Sequence, residues 1–256
     1  MADYYSYNDG KKYTRLEFEQ LVAQLLNQAR NDSRILTALK MVEGKKVLDL
    51  GCHIGIFSNI LAENAKDVVA IDSLQEEIEK ARIFNQRAEI DYKYGDIFEM
   101  NLADNEFDSI VFLEVLEHVS EPERFLKEFL RILKPGGSLI ISTPNALSYI
   151  NILYNLFFFS KKKRLRHIDS LSSEHRNTGT QLDHIYSWDF RTLLRYLLRS
   201  GFEYSDHHFA GAYPFGIRIA GRRLNIFGRK EMRFLLPILG PYLTTIVVKV
   251  KKPCDV

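Results

Sequence analysis

Short apolar segments alternate with stretches of helical periodicity between residues 45 and 145. The apolar runs predict strands at 46–50, 67–71, 90–94, 108–113 and 138–142. The stretches between them predict helices at 55–64, 74–85 and 122–133, and the turn Lys134-Pro135-Gly136-Gly137 ends the last of these helices. Elements in this order are typical of βαβ units, so the sequence predicts an α/β fold with a doubly wound, mostly parallel sheet.

Segments with other patterns flank this core. Apolar spacing over 13–41 predicts two N-terminal helices, whereas no regular pattern runs from 144 to 187. Further along, the sequence predicts a helix at 188–200, a strand through 209 and a closing strand at 243–250. We expect a single domain over 1–256, with N-terminal helices at 1–44, a cofactor-binding core at 45–145, and substrate or lid insertions at 146–187 and 211–240.

The composition is that of an ordinary globular domain, because 46% of the 256 residues are apolar and 27% are charged. Two widely separated cysteines and the lack of a signal-peptide pattern lead us to expect a cytoplasmic protein. No apolar run approaches the roughly 20 residues that span a bilayer.

Charge is divided unevenly along the chain. Residues 1–143 hold 17 Lys+Arg against 25 Asp+Glu, a net charge of −8, and residues 144–256 hold 18 against 8, a net charge of +10. The two parts either face different partners or carry differently charged solvated surfaces.

The first predicted strand of the core leads directly into a turn that contains glycine and then into a helix. Gly51 and Gly55 are small residues at a point where the chain bends sharply and a ligand has to approach the backbone. Free N–H groups at the start of the following helix favour a carboxylate or a phosphate. Dinucleotide-binding folds use similar turns, so the glycines alone do not identify the ligand.

Acidic residues follow the next two strands. Asp72 lies about 20 residues beyond the turn, where a carboxylate can accept hydrogen bonds from both hydroxyls of a ribose. Asp96 and Ile97 follow the third strand and offer a carboxylate for the amine of an adenine and an apolar face for its ring. Because open α/β sheets bind ligands at the carboxyl ends of their strands, we expect a nucleoside site there.

Five stretches, at 47–57, 68–72, 95–97, 107–119 and 133–145, resemble the class I S-adenosylmethionine-dependent methyltransferases. The resemblance implies S-adenosylmethionine as cofactor and a Rossmann-like sheet of seven strands, the last of them antiparallel. It also implies roles for single residues: Asp49, Gly51 and Gly55 around the methionine part, Asp72 with Ser73 at the ribose, Asp96 with Ile97 at the adenine, and Glu114 with Leu113 beside the sulfonium.

His53 departs from this family pattern, because it occupies the position of the middle glycine of the turn. We include His53 among the cofactor-binding residues, since its side chain would crowd the methionine part or contact its carboxylate. A dehydrogenase is disfavoured, because the second and third glycines of a G-x-G-x-x-G motif are missing.

Two histidines are the predicted catalytic residues. Methyl transfer from a sulfonium needs mainly alignment, and it needs a base when the acceptor is a hydroxyl. His118 follows the fourth strand, and His184 lies next to Asp183 just before a predicted helix. Either can serve as the base, and each is also explained as a packing or surface residue.

A divalent metal is a further hypothesis. Glu114, Glu117 and His118 are spaced i, i+3, i+4, so on a helix they would share one face, and His184 would complete a set of four ligands. The stretch is similar to that of the small-RNA 3′-terminal 2′-O-methyltransferases, which implies a metal-dependent RNA enzyme as an alternative. The same residues occur in methyltransferases of small molecules, so the sequence leaves the metal open.

The insertion after residue 145 contains an apolar segment at 150–159 and a basic segment at 161–166. The two segments fit a lid over the cofactor, a peripheral contact with an anionic membrane, or, with less support, a nucleic-acid contact. The expected function is O-methylation of a small or lipid-linked metabolite such as a sugar or quinone precursor. The alternatives are an RNA 2′-O-methyltransferase and a catalytically inactive subunit that binds the cofactor.

Overall fold

The computed structural model describes residues 5–7, 11–149, 151–152, 184–211, 215–219, 222–227 and 243–254. The strands are β1 (Tyr5–Ser6), β2 (Lys12–Tyr13), β3 (Lys46–Leu50), β4 (Asp67–Asp72), β5 (Ile90–Tyr94), β6 (Phe107–Leu113), β7 (Leu133–Pro144), β8 (Glu203–Ala210), β9 (Phe215–Ile219), β10 (Arg222–Phe227) and β11 (Thr245–Lys251). The helices are α1 (Arg15–Ala29), α2 (Ser33–Met41), α3 (Ile56–Leu61), α4 (Gln75–Phe84), α5 (Pro122–Ile132) and α6 (Phe190–Arg199), with a 3₁₀ helix at Ile97–Glu99.

Seven strands form the main sheet, in the order β5-β4-β3-β6-β7-β11-β8. The neighbouring strands from β5 to β7 are parallel, and β11 is antiparallel to both β7 and β8. The predicted seven-stranded, mostly parallel sheet is therefore confirmed. The strand order reverses direction between β3 and β6, which is the point where open α/β sheets bind ligands.

The central strands are apolar because helices cover both faces of the sheet. Leu48 on β3 and Ile110 on β6 are fully buried, as expected for a parallel sheet covered on both sides. On α5, Leu126 and Phe129 repeat at helical spacing and pack into the same core. This packing holds the carboxyl ends of β3 to β7 along one edge of the sheet.

The turn at Lys134-Pro135-Gly136-Gly137 is a correction to the sequence prediction. It does end helix α5, but β7 already begins at Leu133, and the four residues belong to that strand. The Gly136 N–H donates to the Lys252 carbonyl and the Lys252 N–H donates to the Gly137 carbonyl, at 3.0 and 2.9 Å. Pairing with the chain that follows β11 therefore keeps this segment extended.

The two predicted N-terminal helices are present as α1 and α2. Thr14 and Glu17 form a reciprocal capping box at the start of α1. Two hairpins were not predicted: β1 with β2, and β9 with β10, which lies in the expected insertion at 211–240. Two-residue strands such as β1 and β2 are too short to give an alternating pattern.

Most of the expected insertion at 146–187 lies outside the described residues. This holds for all but two residues of the apolar segment 150–159 and for the whole basic segment 161–166. Among the helices that the structure describes, none has the length and apolar character needed to cross a bilayer.

Candidate active site

The turn between β3 and α3 is tight, and its two glycines are required by the protein itself. Gly51 and Gly55 have φ angles of 79° and 77°, in the region that side chains disfavour. A Cβ atom on Gly51 would lie 2.6 Å from Cγ2 of Val115, and one on Gly55 would lie 2.3 Å from the Tyr92 hydroxyl. Close packing against these neighbours therefore selects glycine here.

Asp49 lies under this turn, and its side chain is almost completely buried. The Ser58 hydroxyl on α3 donates a hydrogen bond of 2.6 Å to Oδ2 of Asp49. Burial raises the pKa of Asp49 to about 7; the Ser58 hydrogen bond opposes that increase, and the negative charge of Asp72 adds to it. Asp49 is therefore a carboxyl group whose charge changes near neutral pH.

Asp72, at the end of β4, is held by two backbone donors. The His53 N–H donates to Oδ2 at 2.8 Å, and the Leu74 N–H donates to Oδ1 at 2.9 Å. Each carboxylate oxygen keeps a lone pair for a further donor. This arrangement matches what two ribose hydroxyls require.

A cleft of about 480 Å³ opens beside Asp72. It is lined by Ser73, Tyr94, Gly95, Asp96, Glu99 and Met100. Oδ1 of Asp96 accepts a hydrogen bond of 3.0 Å from the Phe98 N–H, and the Asp96 side chain is exposed to the cleft. Ile97, expected to offer an apolar face to the adenine ring, is instead buried in the main hydrophobic core and is not among the residues that line the cleft. A carboxylate at the rim, which can accept hydrogen bonds from an amine, and the apolar parts of the lining fit an adenine. The cleft is therefore suitable for a nucleoside.

The ring of His53 points toward the N-terminal segment and α4. It makes an edge-to-face contact with Tyr7, with ring centroids 5.7 Å apart, and its Nε2 lies 3.4 Å from Oε2 of Glu77. Burial lowers the pKa of His53, whereas the nearby Glu77 raises it. The backbone N–H of His53, rather than its ring, thus reaches the predicted ribose carboxylate.

Glu114 follows β6 directly and has a left-handed backbone with φ 54°. Its N–H donates to the Ser142 carbonyl at 2.9 Å, and its Oε1 accepts a hydrogen bond of 2.7 Å from the Ser142 hydroxyl. Burial raises the pKa of Glu114. Leu113, the last residue of β6, is partly buried beside it.

The helical spacing considered for Glu114, Glu117 and His118 is not realised, because residues 114–118 form a turn. The left-handed conformation at Glu114 breaks any helix at that point. Glu114 therefore faces Ser142, whereas Glu117 and His118 come together with His184. In this group one ligand atom from each residue lies within 4.8 Å of the other two.

Two buried polar atoms of this group have no hydrogen-bond partner among the described residues: Oε1 of Glu117 and Nδ1 of His118. The other oxygen of Glu117 accepts a hydrogen bond of 3.1 Å from the Thr143 hydroxyl. Burial raises the pKa of Glu117 to about 7, and the charge of Glu114 adds to that increase. The rings of His118 and His184 meet edge to face, with centroids 4.8 Å apart.

The backbone brings His184 to this position across 66 residues of sequence. The N–H groups of Ile185 and Tyr186 both donate to the Glu117 carbonyl, at 2.8 and 3.2 Å. Trp188 then pairs with the chain after β7, where its carbonyl accepts the Ala146 N–H at 2.8 Å. Residues 184–188 therefore run along the end of the sheet beside the group.

Sequence reasoning missed the neighbours that orient these side chains. Ser58, Ser142 and Thr143 each donate to a buried carboxylate, and Tyr7 and Glu77 hold the His53 ring. Hydroxyl residues are common on strands and helices, so their presence gave no signal. The contacts become visible only when the strand ends are placed side by side.

Known proteins similar to this chain include methyltransferases. A family model described as a methyltransferase domain matches residues 17–207. A ubiquinone biosynthesis O-methyltransferase of Coxiella burnetii is 37% identical over 106 residues, which cover 41% of this chain and 45% of the relative. One from Alkalilimnicola ehrlichii is 35% identical over 107 residues, covering 41% of this chain and 43% of the relative. Each match thus spans less than half of the relative's length.

Solved structures share the fold. An S-adenosylmethionine-dependent methyltransferase from Mesorhizobium loti superposes with a TM-score of 0.55 and 19% identity, over 86% of this chain and 96% of that one. At this identity the likeness concerns the fold, and residue roles rest on the geometry described above.

Proposed function

Because the chain belongs to the class I S-adenosylmethionine-dependent methyltransferases, we propose that it methylates a hydroxyl oxygen of a small or lipid-linked metabolite. The observation that carries this proposal is the pair of histidines, His118 and His184, beside the cofactor edge of the sheet. The names of the relatives from Coxiella burnetii and Alkalilimnicola ehrlichii support transfer to oxygen.

The cofactor supplies the electrophilic methyl group, and the chain supplies binding and orientation. Asp72 would accept the ribose hydroxyls, Asp96 would accept the adenine amine, and Asp49 with the turn at Gly51 would bind the methionine part. Holding the two reactants in line is the main contribution of a protein to such a displacement.

The acceptor hydroxyl has to lose its proton, and the histidine pair can receive it. Burial lowers the pKa of His184, and the neighbouring His118 lowers it further, so His184 is neutral at physiological pH. Consecutive residues at the end of β7 connect the histidine pair with the cofactor edge. The Ser142 hydroxyl donates a hydrogen bond to Glu114, and the Thr143 hydroxyl donates one to Glu117, which lies beside His118. These contacts support a proton acceptor close to the expected methyl donor.

The test is the variant His184→Ala. Loss of a general base typically lowers the rate about 100-fold or more, so we expect kcat to fall by that factor while the affinity for S-adenosylhomocysteine in calorimetry stays unchanged. His208→Ala is the matched control, because His208 lies on the edge strand β8 and its side chain is 58% exposed. An equal loss of turnover and of cofactor affinity in His184→Ala would contradict the role as base.

A divalent metal at Glu117, His118 and His184 is a second candidate, and one observation favours it. The two unpartnered buried atoms, Oε1 of Glu117 and Nδ1 of His118, are the kinds of atom that ligate cations such as Mn²⁺, Co²⁺ or Zn²⁺. A cation bound there would lower the pKa of an acceptor hydroxyl. Glu114, the fourth ligand considered from the sequence, is not part of the converging group.

The two candidates differ in their response to chelation. With a bound cation, EDTA abolishes turnover, calorimetry with Mn²⁺ detects a site in the wild type, and Glu117→Gln removes that site. With His184 as base, turnover survives EDTA and no Mn²⁺ site is found. A ribose 2′-hydroxyl of RNA becomes the favoured acceptor if the protein also shifts an RNA oligonucleotide at moderate salt.

A further inference from the structure

His53 occupies a backbone conformation that is uncommon for residues other than glycine. Its φ of 50° lies in the left-handed region, where histidine is found more often than most residues with a side chain but less readily than glycine. Strain of this kind persists only where the surrounding structure enforces it, and it is concentrated at functional sites. The contacts of the His53 ring with its neighbours can hold the residue in this left-handed conformation.

The ring is held on two sides. Tyr7, next to the β1–β2 hairpin, packs its ring edge to face with the imidazole. Oε2 of Glu77 on α4 lies 3.4 Å from Nε2 of His53, a charge contact without a hydrogen bond, and Glu77 is itself fixed by the buried Lys80, whose Nζ donates to Oε1 of Glu77 at 2.8 Å. The imidazole therefore connects the N-terminal segment to helix α4 across the turn.

The backbone of the same residue reaches the ribose site. In the left-handed conformation the His53 N–H points to Oδ2 of Asp72 and donates at 2.8 Å. With the Leu74 N–H on Oδ1, this bond sets the orientation of the carboxylate. A change in the backbone conformation at position 53 would therefore change the orientation of the Asp72 carboxylate.

We propose that His53 is a positioning residue, whose ring contacts with Tyr7 and Glu77 hold the strained turn so that its N–H fixes the Asp72 carboxylate for the cofactor ribose. The inference rests on the proposed cofactor site. It gives the side chain that replaces the family's glycine a role that does not involve touching the ligand.

Three substitutions at one position separate this role from direct contact. His53→Gly and His53→Asn remove the ring but adopt the left-handed conformation readily, whereas His53→Ala removes the ring and keeps the strain. For S-adenosylhomocysteine we expect a Kd about tenfold higher in His53→Ala and about twofold higher in the other two. The KM for the methyl donor should follow the same order, with kcat at saturation unchanged.

Each alternative gives a different pattern. If the ring contacted the ligand, all three variants would lose affinity equally. If His53 served only stability, thermal unfolding would shift while the three Kd values stayed at the wild-type value. Either result would overturn the proposal. Failure of the wild type itself to bind S-adenosylhomocysteine would instead contradict the cofactor site.

Coupling to Tyr7 provides the second measurement. Tyr7→Leu removes one of the ring contacts seen within the described part of the chain, so we expect the Kd for S-adenosylhomocysteine to rise about threefold in the wild-type background. In the His53→Gly background the same change should have no effect, because there is no ring to hold. Equal effects of Tyr7→Leu in both backgrounds would show that Tyr7 acts without His53, and the proposal would fail.

Discussion

The carboxylates expected to bind a ligand differ between the two parts of the candidate site in how their oxygens are satisfied. On the expected cofactor side, both oxygens of Asp72 accept backbone hydrogen bonds, and Asp49 accepts one from Ser58. The buried oxygen without a hydrogen-bond partner on that side, among the described residues, is Oε2 of Glu77 beside the His53 ring. On the acceptor side, Glu117 and His118 each have a buried atom without a partner in the described part of the chain. An unsatisfied buried polar atom costs about 1–3 kcal/mol of stability. A group that bound on the acceptor side and paired with these two atoms would therefore stabilise the protein.

The largest expected effect is the loss of S-adenosylhomocysteine affinity on substitution of Asp72. Asp72→Ala removes the proposed acceptor of two ribose hydroxyls and leaves the N–H groups of His53 and Leu74 without their partner. Hydrogen bonds to a charged group contribute about 1.5–3 kcal/mol each, so S-adenosylhomocysteine should bind at least about 100-fold more weakly in calorimetry.

Asp67→Ala is the control, because Asp67 lies at the opposite end of the same strand and is exposed. Its affinity for S-adenosylhomocysteine should match that of the wild type. A Kd for Asp72→Ala within threefold of the wild-type value would show that Asp72 does not bind the cofactor. The proposed cofactor side would then lose its main ligand-binding carboxylate.

The convergence of the proposed cofactor-binding acids at one edge of the sheet could be predicted from the sequence, because each follows its own strand. Asp72 and Asp96 come directly after apolar runs, and the parallel sheet brings the ends of such runs together. The left-handed turn at His53 and the direction of its ring could not be predicted. Both depend on Tyr7 and Glu77, which belong to elements that the pattern does not link to the turn.

The acceptor side could be predicted only in part. Sequence proximity suggested Glu117 and His118, but the helix assumed for them was wrong, because Glu114 turns the chain. His184 was an expectation from its place next to Asp183, just before a predicted helix. Its place beside His118 is set by two backbone hydrogen bonds to Glu117 from residues 68 and 69 positions further along the chain, and a contact of that kind leaves no periodic signal in the sequence.

The buried carboxyl of Glu117 predicts a pH-dependent stability. Burial raises its pKa from 4.5 to about 7, so the folded protein binds a proton more tightly than the unfolded chain. Its contribution to stability is fully present below pH 4.5 and is lost as the pH rises through 7. Between pH 5 and pH 8 the free energy of unfolding should fall by about 2 kcal/mol from this group.

Glu117→Gln should remove this part of the pH dependence in chemical denaturation and leave S-adenosylhomocysteine binding unchanged. Asp49→Asn is the matched variant from the other side, because burial raises the pKa of Asp49 to about 7 as well. It should remove a similar part of the slope but weaken cofactor binding. A Glu117→Gln protein with the wild-type slope would contradict the buried, protonated state of Glu117.

The smallest effects come from single hydroxyls, one on each side. Ser58→Ala removes the donor to Asp49, and Thr143→Val removes the donor to Glu117, with little change in volume. Each hydrogen bond contributes about 1 kcal/mol, roughly fivefold in an equilibrium constant. Loss of either donor raises the pKa of its carboxyl further, because the hydrogen bond stabilises the charged form.

The two variants should therefore affect different steps. Ser58→Ala should weaken S-adenosylhomocysteine binding about fivefold at pH 7, with recovery at pH 9, where Asp49 is again ionised, and kcat should be unchanged. Thr143→Val should leave binding unchanged and raise the pH at which the contribution of Glu117 to stability is lost. If Thr143→Val also weakened S-adenosylhomocysteine binding at pH 7, Asp49 and Glu117 would form one electrostatic unit, and the division into a cofactor side and an acceptor side would not hold.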